Sequence, residues 1–135
     1  MCFSATASFT ASVALTGIGV LALRAARTPG ERIFALIPLL FAAQQATEGL
    51  VWISYPWDAP TLRAWSTQVY SIFSHLVWPA FIPWAVRALE PVPWRRDVLA
   101  LLGFGGLVSA LFLLASMVAT PIEVVPIGGH LAYRS

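Results

Sequence analysis

Phe41-Ala-Ala-Gln-Gln-Ala-Thr-Glu-Gly-Leu-Val-Trp-Ile53 is the stretch on which the reading of this chain turns, because it sets two amides and a carboxylate inside an apolar run long enough to cross a bilayer. An ionised side chain near the centre of a membrane helix costs roughly 2.5 to 3.5 kcal/mol on insertion scales, so Glu48 is expected to face protein rather than lipid. Gln44 and Glu48 are four residues apart and Gln45 and Glu48 three, which puts all three on one broad helix face with Trp52 a turn further on. That face is predicted to point into a bundle. It is either a functional site or a polar patch joining helices through interhelical hydrogen bonds of about 0.6 to 2 kcal/mol each.

The composition agrees with a membrane setting. Of 135 residues, 59% are hydrophobic and 10% charged, where a soluble domain carries about 25% charge. The mean hydropathy is +0.78. The length allows one domain. All eight basic residues are arginine and the formal net charge is only +2. The pI near 9.2 therefore reflects a few loop arginines, and nucleic acid is excluded as a partner. A single cysteine, Cys2, excludes an intramolecular disulfide framework and a CxxC motif. No arginine precedes Arg24, so the first apolar run lacks the basic start of a signal peptide and is expected to be retained. Cys2 has no lipobox before it.

Four spans follow, and the predicted fold class is an all-α, polytopic membrane helix bundle. The first runs from about Ala5 to Leu23, with Ser4, Ser8, Ser12 and Thr16 making a small-residue packing stripe. Pro29-Gly30 breaks the chain before a second span, about Ile33 to Ile53, in which Pro38 predicts a kink. Tyr55 and Trp57 suit an interfacial belt. The third span, about Leu62 to Val86, carries Gln68, Ser71 and His75 on one face, and Pro79 and Pro83 are expected to distort its later half. The fourth, about Val98 to Ala119, has no ionisable residue and reads as a packing face through Gly103, Gly105, Gly106 and Ser109. The tail from Thr120 to Ser135 is too broken by proline and glycine for a fifth span and reads as a lead-in to a further one.

Arginines fix the expected orientation. Arg24, Arg27 and Arg32 crowd the first turn and Arg87, Arg95 and Arg96 the third, against Arg63 alone in the second and Arg134 in the tail. The positive-inside rule then puts the N-terminus, the second turn and the tail outside the inner (cell) membrane. Glu48 would lie about 8 Å and His75 about 18 Å from the outer end of their helices, at 1.5 Å per residue. Cys2 and His130 are expected on the same outer side. Cysteine, histidine and glutamate are ligand types for zinc or copper. The leading expectation is therefore an outward-facing metal site of Glu48 and His75, completed by His130 or Cys2 and lined by Gln44, Gln45, Gln68 and Ser71. An open coordination position would make it a metal-dependent membrane hydrolase. A Glu48 to His75 proton-sharing pair serving proton-coupled transport or a relay fits nearly as well. A structural or accessory subunit is the third reading; a homo-oligomer or a larger membrane complex is the expected assembly, since four short helices need to oligomerise to enclose a transport path.

Met1-Cys-Phe-Ser-Ala-Thr-Ala-Ser-Phe9 together with Gln44-Gln45-x-x-Glu48-Gly49-x-x-Trp52 resembles a family of uncharacterised bacterial integral membrane proteins. Ser74-His75 and Gly128-Gly129-His130 are weaker supporting points. The resemblance implies longer chains with further spans, and so a C-terminally incomplete sequence here. It strengthens the choice of Cys2, Gln44, Gln45, Glu48, His75 and His130 without implying an activity.

Overall fold

The computed structural model describes residues 4–120, 122–128 and 130–134. Among the described residues four helices are long and apolar enough to cross a membrane: Ala5–Ala25, Pro29–Ser54, Pro60–Arg87 and Pro93–Ala119. Each is longer than the sequence expectation, mostly because proline and cap residues add an interfacial turn. The first span is α1 (Ala5–Ala25), whose N-cap Ser4 accepts a hydrogen bond from the Ala7 N–H. The second is α2 (Pro29–Ser54), which opens on a capping box. There the Glu31 N–H donates to Thr28 Oγ1 at 3.2 Å and the Thr28 N–H to Glu31 Oε2 at 3.1 Å. Proline in the first turn of α2, of α3 (Pro60–Ile72) and of α5 (Pro93–Ala119) suits a position whose N–H has no intrahelical partner.

The spans pack in chain order: α1 on α2, α2 on the third span, and the third span on α5. At the α1–α2 contact Ser8 is fully buried, Ser12 Oγ donates to the Ala42 carbonyl at 2.8 Å, and Gly49 lies against the Phe9 ring. Small side chains let the backbones approach, as helices in lipid require. The first and third turns meet at one end, where Gly30 packs against the Ala88 carbonyl. Trp94 is exposed near that end, and Trp57 and Trp65 near the other, which gives each a tryptophan suited to a headgroup region.

The third span is not a uniform helix. It runs as α3, a π-helical segment from Phe73 to Val77, and α4 (Trp78–Arg87). Pro79 supplies the reason: with no N–H it cannot bond the carbonyl of His75, four residues earlier, and an inserted residue widens the turn instead. Pro83 likewise leaves the Pro79 carbonyl without its helical donor, and that carbonyl rests against Gly106 of α5. Trp84 then fits over Gly103, with its ring edge-on to Phe104 at 5.4 Å.

The described part of the tail holds no fifth span-length helix, and it takes a form that the sequence reading did not name. It folds into an antiparallel hairpin, β1 (Glu123–Ile127) and β2 (His130–Arg134), turning through Gly128 at φ +55°. Alternation puts Val124, Leu131 and Tyr133 on the face that meets the helices, where Val124 and Leu131 pack on Val51 with Trp52 and Tyr55 around them. The Tyr55 hydroxyl donates to the Val124 carbonyl at 2.7 Å, and Gln68 Nε2 to the Ile122 carbonyl at 3.1 Å. The hairpin thereby closes the end of the bundle that holds the start of α1 and the second turn.

Candidate functional site

Beneath the hairpin lies the polar interior that the second span announces. Glu48 is 1% exposed, and Thr67 and Ser71, one turn apart on α3, are 1% exposed each. Tyr133 reaches down from β2 and stacks on Tyr70 with ring centroids 4.7 Å apart. The hydroxyls of Thr67, Ser71 and Tyr133 are buried without a hydrogen-bond partner among the described residues. Burial pushes the Tyr133 hydroxyl well above its ordinary range, and Tyr70, the Glu48 carboxylate and Tyr55 add to the shift. The Glu48 carboxylate is thus within electrostatic reach of the Tyr133 hydroxyl, and the buried hydroxyls of Thr67, Ser71 and Tyr133 can each donate and accept a proton.

The glutamines divide their work. Gln44, 6% exposed, accepts from Trp78 Nε1 at 2.7 Å, and Trp78 stacks on Phe41 at 4.1 Å, which locks the second span to the third. Gln45 is half-buried on the same helix. Gln68 is spent on holding the hairpin. Arg63 covers the end of α2: its guanidinium lies 4.1 Å from the Tyr55 ring centroid and donates to Ser54 Oγ and to the Ser54 carbonyl, both at 3.4 Å.

His75 faces a different neighbour. Its Nδ1 is 2.9 Å from the Ser71 carbonyl and 3.0 Å from Ser74 Oγ. Its ring lines a cavity against α5, with Leu113, Ser116, Met117, Thr120 and Ile122. His130 pairs with Ile127 at the turn of the hairpin and, by alternation, lies on the face opposite to Leu131 and Tyr133. Cys2 lies outside the described residues. Among the described residues no three of histidine, cysteine, aspartate and glutamate come together. Of the expected ligands, the three described ones, Glu48, His75 and His130, are thus not brought together: strand period turns His130 away from the face of Tyr133, and the π-helical segment holds His75 against α5.

Thr67, Tyr133 and Met117 were not among the residues singled out from the sequence. Thr67 stands four residues before Ser71, a signal present in the spacing but overshadowed by its neighbour Gln68. Tyr133 and Met117 enter only through tertiary contacts. The family whose model matches this chain, over residues 1–133, is described as a family of unknown function, DUF6629. Comparison with curated proteins and with solved structures gives no match.

Proposed function

The chain belongs to that family, DUF6629, and as one of its membrane-spanning members we propose that it is a proton relay of the kind used in proton-coupled transport, centred on Glu48. The observation that carries this reading is that Glu48 acts on the buried Tyr133 hydroxyl, while the hydroxyls of Tyr133, Thr67 and Ser71 are buried without hydrogen-bond partners among the described residues. Buried polar groups of this kind call for water or a ligand, and hydroxyls bridged by water pass a proton by donating and accepting in turn. Tyr133, hinged to the rest through β2, is the gate residue of this proposal.

We also infer that the hairpin end faces away from the cytoplasm of an inner membrane. Six arginines flank the first and third turns, while Arg63 and Arg134 stand at the hairpin end, a bias of the kind that orients short-looped membrane proteins. Introducing a cysteine at Asp58 or at Glu90 in a Cys2→Ser background and labelling intact cells with an impermeant maleimide tests this: position 58 labels and position 90 does not.

Reconstitution tests the relay. Liposomes loaded with a pH-sensitive dye and polarised with a potassium gradient and valinomycin should acidify faster with the protein than without it. Glu48→Gln abolishes the difference, and Tyr133→Phe slows it. Acidification equal to that of empty liposomes, or unchanged by Glu48→Gln, would sink the reading.

A further inference from the structure

The cavity beside His75 is separate from the Glu48 site and has its own chemistry. It measures about 120 Å³ and is walled mainly by Leu113, Met117 and Ile122, with the hydroxyl residues Ser116 and Thr120 near the end of α5. That volume holds an ion together with water. A carbonyl oxygen can only accept, so the 2.9 Å approach of His75 Nδ1 to the Ser71 carbonyl places the imidazole proton on Nδ1. In the neutral form of the ring the lone pair then sits on Nε2, and no described residue bonds that nitrogen. Metal-binding imidazoles are held in this way, with the far nitrogen donating to a carbonyl that fixes tautomer and orientation.

The soft donor among the residues that line the cavity is the thioether of Met117, a residue 8% exposed. Imidazole and thioether are both neutral. A divalent ion brought to them would carry two uncompensated charges into a medium of low dielectric constant, at a large solvation cost. A soft monovalent ion costs much less, and thioether sulfur selects copper(I) among the biological metals. We propose that this cavity is a copper(I) site with His75 Nε2 and Met117 Sδ as its ligands. The π turn is what makes it possible, since the extra residue brings Phe73–Val77 into contact with α5. The site narrows the zinc-or-copper expectation to copper and replaces Glu48, His130 and Cys2 by one methionine.

The test uses the full chain in detergent with Cys2→Ser, which removes a thiol able to bind copper(I) by itself. Anaerobic titration with copper(I) against a chromophoric copper(I) chelator should show one equivalent retained. His75→Gln and Met117→Leu should each weaken retention by at least about tenfold, the range in which disturbed metal shells respond. Met117→Cys restores a soft sulfur and should restore retention, which keeps the test decisive if His75→Gln fails to fold. X-ray absorption at the copper edge should show nitrogen and sulfur neighbours. No copper retained by folded Cys2→Ser protein, or retention unchanged by Met117→Leu, overturns the site. Glu48→Gln should leave copper retention intact, so this proposal and the proton relay fail separately.

Discussion

Gly105 and Gly106 are neighbours in α5, yet the structure predicts opposite responses to alanine. A Cβ at Gly105 meets nothing within 4 Å, so Gly105→Ala gains helix propensity alone, about 0.5 to 1 kcal/mol. A Cβ at Gly106 runs into the Pro79 carbonyl. The backbone fixes the position of a Cβ and the carbonyl is itself backbone, so no rotamer change relieves the contact and α4 and α5 must move apart. Overpacking of this kind costs about 1 to 3 kcal/mol. After the propensity gain, Gly106→Ala is expected to lose about 1 to 2 kcal/mol while Gly105→Ala gains up to about 1. Titration with a denaturing detergent in mixed micelles, followed by circular dichroism and tryptophan fluorescence, measures both. Equal shifts in the two variants, or a Gly106→Ala protein as stable as the parent, would refute the argument that Pro83 frees the Pro79 carbonyl to lean on Gly106.

Three further outcomes follow from the same geometry. A double-mutant cycle of Gln44→Leu and Trp78→Phe, read by the same detergent titration, should give a coupling of about 0.6 to 1.7 kcal/mol for the 2.7 Å bond between them; additive effects would show that the bond does not join the spans. Tyr55→Phe removes the donor to the Val124 carbonyl and should weaken hairpin docking by about 1 kcal/mol, seen as faster amide exchange across 123–134 with the helices unaffected. Tyr133 has its hydroxyl raised above the ordinary value of 10.0 by burial first, so the docked state keeps a proton that the undocked state loses. Its contribution is fully present below pH 10 and declines as pH rises above it; alkaline undocking, followed by proteolysis of the tail, should be blunted in Tyr133→Phe.

The four spans were legible because their signal is local. An apolar run of bilayer length announces itself whatever it packs against, and proline or a capping box marks its start. The polar face of the second span was legible for the same reason, since Gln44 and Glu48 share a face by helical period alone. Pro79 and Pro83 also announced a distortion, but not its form: a kink, a π turn and a carbonyl leaning on Gly106 are all open to the sequence, and the neighbouring helix decides among them. The hairpin has a weaker local signal. Gly128-Gly129 between Val124-Val125 and Leu131-Ala132-Tyr133 has the hairpin pattern of a glycine pair between apolar runs, while Pro126 speaks against a strand except at a sheet edge, which a two-stranded hairpin always provides.

That missed hairpin explains why the candidate site was only half visible. Histidine, cysteine and glutamate were grouped by residue type and by predicted depth, and depth along a helix says nothing about which neighbour a side chain faces. The π turn decides the facing of His75, and strand alternation decides that of His130. Tyr133, 85 positions from Glu48 along the chain, comes to it because Tyr55 and Gln68 hold the tail in place. Removing these holding contacts should therefore expose Glu48 without altering any residue beside it: Tyr55→Phe combined with Gln68→Leu, in the liposome assay, separates a gate made by the hairpin from a carboxylate that works alone. If Tyr133 gates the site, the double variant leaks protons faster than the parent in both directions; if the rate is unchanged, the hairpin is a cover and the relay is confined to the helices.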